Sequence, residues 1–180
     1  MSILLSFNQA TNKENYVQMK IINIKNKTEA LMSLERFRLK EQSGVEIKLI
    51  NVHLCEINAL VGEKIFSKND LYVTGETLYE IMQPIGDGHG RHHYHGLSPK
   101  LVLETLNNAK FPYGIYKAGN QRYVIVTIST NITGENVVLI VEIGASLKGV
   151  RDANINKLVS IYPRRNIDKK INENKGSKFR

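Results

Sequence analysis

The stretch LSPKLVLETLNNAKFPYGIYKA, Leu97 to Ala118, decides the fold. Ser98 is placed to cap a helix with its side-chain oxygen, and Pro99 takes the first helical position, where its missing N–H costs nothing and its fixed φ is already helical. The helix runs out near Lys110, and PYGIYKA, from Pro112, reads as a strand. Two more apolar runs follow, QRYVIVTIST (Gln121–Thr130) and NVVLIVEIG (Asn136–Gly144). Gly119-Asn120 and a turn containing Gly134 separate them, and both suit hairpins. NKLVSIYP, Asn156–Pro163, is the last strand, stopped by its proline. A helix followed by hairpin-connected strands predicts an α+β fold, an antiparallel sheet packed against one or two helices.

Upstream, SILLSF (Ser2–Phe7) and YVQMKIINI (Tyr16–Ile24) read as strands, the latter with Val17, Met19 and Ile21 sharing a face. TEALMSLERFRLKEQSG follows at helical spacing, with Thr28 as the expected cap and Gly44 as the stop. VEIKLINVHL returns to alternation through Val45, Ile47 and Leu49. Residues 1–60 therefore read as an N-terminal β-β-α-β extension. In LYVTGETLYEIM the pattern Thr77-x-x-Glu80 predicts a second capped helix, ended by Pro84 and Gly86. The expected organisation is this extension, a domain over residues 61–168, and a basic tail over 169–180 too poor in apolar residues to fold.

Several classes are excluded. No apolar run approaches the roughly 20 residues of a membrane span, and the N-terminus lacks a basic n-region and cleavage site, so a cytoplasmic protein without membrane contact is expected. The lone cysteine, Cys55, forbids an internal disulfide and sits in an apolar segment as a buried thiol. There is no G-x-G-x-x-G in a strand-to-helix context and no P-loop.

Charge narrows the partners. The chain holds 25 Lys and Arg against 17 Asp and Glu, a formal charge of +8, and nine basic against three acidic residues lie between Arg151 and Arg180. Such a field attracts phosphate backbones, which makes RNA the partner class of choice.

Two constellations carry chemistry. GDGHGRHHYHGLSP, Gly86–Pro99, holds His89, His92, His93 and His95, four of the five histidines. Zinc sites draw ligands from at least two segments or from H-x-x-x-H on a helix, and neither pattern is evident. No metal and no cofactor is therefore expected, although a metal-dependent hydrolase built on this loop stays open. Acid/base work needs a single oriented imidazole, and His95, three residues before the Ser98 cap, is best placed, with His92 second. His53, alone between Val52 and Leu54, reads as structural. The second constellation is VSIYPRR: in a strand Ser160 and Tyr162 share one face with Arg164 just beyond, while Val159 and Ile161 point to the core. Hydroxyls and a guanidinium suit a phosphodiester. By the same alternation Thr127 and Ser129 share a face, and with Arg122, Arg165 and Lys157 they are the expected substrate-binding residues.

The run HHYHGLSPKLVLETLNNAKFPYGIY, followed by consecutive strands ending in NKLVSIYPRR, resembles phage-associated nucleases of the barnase/EndoU/colicin/RelE-like (BECR) superfamily over roughly Leu71–Asn166. The resemblance implies a metal-independent endoribonuclease, a toxin or phage-related effector with a possible immunity or antitoxin partner. Its helix would pack on a four-stranded antiparallel sheet with RNA across the open face. His95 would act as base or acid, Arg164 would stabilise the phosphate, and Ser160 or Tyr162 would orient it. A non-catalytic nucleic-acid- or protein-binding module is the other class the charge allows.

Overall fold

The helix opened by Ser98 and Pro99 forms as its sequence dictates: it spans Pro99–Asn108, and the Ser98 hydroxyl accepts from the Leu101 N–H at 3.2 Å. The computed structural model describes residues 19–39, 44–84, 95–147, 150–151 and 154–180. The strand expected at Ser2–Phe7 and the residues His89, His92 and His93 lie outside them. In chain order the first elements are β1 (Met19–Asn23), α1 (Lys27–Arg38), β2 (Glu46–Ile50), α2 (Glu56–Val61), β3 (Leu71–Thr74) and α3 (Gly75–Met82). They are followed by α4 (Pro99–Asn108), β4 (Gly114–Lys117), β5 (Arg122–Thr130), β6 (Asn136–Ala145), β7 (Ile155–Arg164), α5 (Ile167–Glu173) and β8 (Ser177–Lys178).

The fold is α+β, but its sheet is mixed and larger than expected. Eight strands run in the order β1-β2-β3-β7-β6-β5-β4-β8. The hairpin-connected strands β4 to β7 are antiparallel, as their turns require. β1 and β2 are joined through a helix instead, a crossover that makes them parallel, and β3 lies parallel to β7 through the pair Tyr72↔Lys157. The described strands of the N-terminal extension share the core of the later ones: Ile47 and Leu49 pack in one cluster with Leu139, Leu158 and Ile161.

That core lies on the face covered by α1, α3 and α4, which contribute Leu34 and Phe37, Leu78 and Ile81, and Val102 and Leu106. Three local expectations shift. In β1 the buried phase is Ile22 and Ile24, with Ile21 exposed, because α1 covers the even positions. Asn26, rather than Thr28, caps α1 by accepting from the Glu29 N–H. Thr74, the last residue of β3, caps α3 by accepting from the Thr77 N–H at 3.1 Å, so the capping position lies three residues before the one expected. Ser98→Ala should cost about 1 kcal/mol of stability, read as a lower urea midpoint with unchanged slope.

The opposite face is covered at one end by α5. Ile167 and Ile171, four residues apart, bury against Tyr116, Val124, Val126 and Val138, and β8 pairs with β4. The stretch 169–180 is thus folded, not a disordered tail: one apolar stripe at helical spacing is enough when a sheet face is waiting for it. Asp168 fastens the end of the chain, accepting from the Tyr113 hydroxyl at 2.7 Å and pairing with Lys178 at 2.9 Å. These contacts push the Lys178 ammonium up to about 12 and hold the Asp168 carboxyl below its usual range.

Candidate active site

His95 is held through its backbone. Gln83 turns extended before Pro84 and ends α3, and from His95 the chain runs along the end of that helix. The N–H groups of His95, Gly96 and Leu97 donate to the carbonyls of Glu80, Gln83 and Ile81 at 3.3, 2.7 and 3.1 Å. Carbonyls at a helix C-terminus have no intrahelical partners, so this strap satisfies groups that would otherwise be orphaned. Gly96 adopts a positive φ of 66°, and Leu97 inserts into the helix-side core. The imidazole is directed at Ser160.

It meets β7, which outlasts its neighbour. With Tyr72 registered on Lys157, β3 ends at Thr74 and turns into α3, leaving Ser160–Arg164 beyond its pairing. Register along β6 places Ile140 opposite Ser160 and Val141 opposite Leu158, so Val159 has no partner and forms a β-bulge. The bulge corrects the expected alternation: Leu158 and Ile161 both enter the helix-side core, and Val159 is only half-buried. Ser160 and Tyr162 share the opposite face as expected, opposite Ile140 and Val138.

Four side chains converge there. Ser160 Oγ lies 3.0 Å from His95 Nε2, a contact between residues 65 positions apart. The His95 and Tyr162 rings pack with centroids 5.3 Å apart, tilted by 30°. Arg164 Nη1 donates to Tyr162 Oη at 2.6 Å. Because Tyr162 Oη accepts from the guanidinium, its own proton is available to another acceptor. One imidazole, two hydroxyls and a fixed cation thus occupy a single patch, and a groove of about 590 Å³ that includes Asn136, Asn166 and Lys169 opens beside Arg164. The set can move protons and hold an oxyanion with groups the chain itself supplies.

The other expected binding residues lie elsewhere. Thr127 and Ser129 are buried: Thr127 Oγ1 donates to the Val137 carbonyl at 2.8 Å, and Ser129 Oγ accepts from Asn108 of α4 at 3.0 Å. They share a face as expected, but in the phase of Ile125, toward α4 and away from Ser160 and Tyr162, and they serve the fold. Arg122 pairs with Glu142 at 2.9 Å across β5 and β6, in the same cross-strand row as Lys157. Lys157 faces Glu46, whose carboxyl burial pushes up and Lys157 partly draws back. Arg165 pairs with Glu135 and borders the groove. Of the five, only Arg165 stands next to the His95 cluster.

The remaining chemistry-bearing residues are quiet. Among the described residues no group of three or more His, Cys, Asp or Glu could hold a metal. His53 lies in the turn after β2, its Nδ1 3.7 Å from Glu56. Burial pushes the Cys55 thiol up, and its Sγ donates to the Phe66 carbonyl at 3.5 Å. Cys55 should therefore react with an aromatic disulfide reagent at pH 8 more slowly than glutathione does. A rate equal to that of glutathione would contradict this.

One residue escaped the sequence reading: Tyr116, whose hydroxyl is buried with no hydrogen-bond partner among the described residues. Its signal was the turn count. Register carries Tyr116 onto Val124, Val124 onto Ile140, and Ile140 onto Ser160, which puts Tyr116 in the row of the site. Among the described residues no helix is long and apolar enough to cross a membrane. Comparison of the chain with protein-family models, with curated proteins and with solved structures gives no significant match, so the site stands on its own geometry.

Proposed function

We propose that this chain is an endoribonuclease that cleaves RNA at His95, Ser160, Tyr162 and Arg164 without needing a metal ion. The ribose 2′-hydroxyl attacks the adjacent phosphorus: the O2′–P bond forms, the P–O5′ bond breaks, and a 2′,3′-cyclic phosphate and a 5′-hydroxyl result. His95 Nε2 takes the 2′ proton as general base. Ser160 holds the imidazole in position and marks the place where the attacking hydroxyl docks. Arg164 neutralises charge gathering on the phosphoryl oxygens. Tyr162, with Arg164 on its oxygen to stabilise a developing phenolate, donates its proton to O5′ and regains one from the His95 imidazolium through solvent.

The observation that carries this reading is the 3.0 Å contact between His95 Nε2 and Ser160 Oγ, made beside the Arg164–Tyr162 pair. The net charge of +8 favours encounter with a polyanion, and the pattern resemblance to BECR-like nucleases points the same way. Incubation of the purified protein with transfer RNA and with unstructured RNA in excess EDTA is the test. Cleavage that persists in EDTA supports the proposal; absence of cleavage with and without magnesium sinks it.

The same contact favours one other reading, a serine nucleophile activated by histidine. Ser160→Ala separates the two. A positioning serine leaves measurable cleavage, whereas a nucleophilic serine leaves none and the wild type accumulates a covalent adduct.

A further inference from the structure

Tyr116 is a buried polar group that the fold does not use. Its side chain is 4% exposed and packs on the α5-covered face with Val124, Val126 and Val138, where a phenylalanine would fit equally well. Its hydroxyl finds no partner among the described residues, and leaving such a group unsatisfied is costly. A position that keeps an unpaired hydroxyl in an apolar cluster is built for something absent from the folded chain alone.

The surroundings say what. Tyr116 and Ser160 lie in one cross-strand row, so both project to the same side of the sheet as Tyr162, which packs against the Tyr116 cluster. Burial pushes the Tyr116 phenol up, so that it stays protonated as a donor, while Arg164 draws it down and Tyr162 opposes Arg164. Once Tyr162 Oη has accepted from Arg164, the Tyr162 and Tyr116 protons and the remaining guanidinium N–H groups are the donors left for a ligand. Donors converging around a fixed cation suit an anion with several acceptor oxygens.

We propose that Tyr116, Tyr162 and Arg164 form one oxyanion subsite, in which the Tyr116 hydroxyl donates to a non-bridging oxygen of a phosphate group. Under the nuclease reading, on which its assignment to RNA rests, that group is the scissile phosphodiester. A phosphate on a free nucleotide would meet the same donors.

Tyr116→Phe tests it, because the change removes one oxygen and keeps the ring. Inorganic phosphate and a ribonucleoside 3′-monophosphate are titrated calorimetrically into wild type and variant, and unliganded melting is recorded for both. The expected result is binding weakened about ten- to a hundred-fold in the variant, with a melting temperature equal to or above wild type because the orphaned hydroxyl is gone. Nucleotide bound more tightly than phosphate by the wild type supports an RNA-derived ligand, and equal binding supports a free phosphate. Equal affinities of wild type and Tyr116→Phe for both probes overturn the subsite. The nuclease reading fails separately: phosphate binding that depends on Tyr116 without RNA cleavage keeps the subsite and removes the nuclease. Cleavage by Tyr116→Phe at the wild-type rate does the reverse.

Discussion

If the proposed nuclease reading holds, replacing His95 by alanine should lower RNA cleavage in EDTA by at least about a hundred-fold while the protein stays folded. The two halves of this expectation have separate physical origins. Folding is spared because the strap at the end of α3 is made by the N–H groups of His95, Gly96 and Leu97, which alanine at 95 retains, and because the anchoring side chain is Leu97. Activity would be lost because His95 Nε2 is, among the described residues, the nitrogen base positioned against Ser160 and the Tyr162 ring. Arg164→Lys should also fall well below wild type. A lysine supplies charge, but not the fixed planar donors that contact Tyr162. Circular dichroism and melting separate these effects from unfolding, and an active His95→Ala protein would remove His95 from the mechanism.

Ile171→Ala destabilises the protein by about 2–5 kcal/mol, a loss out of proportion to a position so near the C-terminus. Ile171 is 1% exposed and closes the cluster of Tyr116, Val124, Val126 and Val138. Gly176→Val should damage the same region by another route. A Cβ there would stand 2.6 Å from Tyr116 Cβ and closer still to the Ile115 carbonyl, both on β4, which cannot retreat without breaking its pairing with β5. Gly114 is equally confined: a Cβ there would stand 2.6 Å from Ile171 Cδ1 and 2.8 Å from the Ser177 carbonyl oxygen. Urea denaturation of both variants is the check. Wild-type midpoints would mean that the end of the chain does not seal this face.

The C-terminal half of the fold was legible because its signals are local. Ser98-Pro99 opened a helix where expected, and three turn-separated apolar runs became a meander. The parallel pairs were not legible, since Tyr72↔Lys157 joins segments whose proximity no turn residue announces. The fate of residues 169–180 was hidden for a related reason. Ile167 and Ile171 look sparse among lysines until a sheet face exists to receive them. At the site, Ser160 and Tyr162 followed from period-2 alternation, and the strap brings His95 to them along the stretch of β7 that β3 leaves unpaired. The Val159 bulge, which seats Leu158 in the core while Ser160 keeps its face, has no marker in the sequence. Thr127 and Ser129 share a face as alternation requires, but it is the face that α4 covers, and nothing local in the sequence says which face that is.

The most direct measurement is end-group analysis of RNA cut by the purified wild-type protein in excess EDTA. Attack by the 2′-hydroxyl predicts fragments ending in 2′,3′-cyclic phosphate with 5′-hydroxyl partners, and no cutting of an oligonucleotide whose riboses are all 2′-deoxy. Fragments bearing 5′-phosphates, or equal cutting of the deoxy substrate, would contradict the assignment of His95, Ser160, Tyr162 and Arg164 to this chemistry.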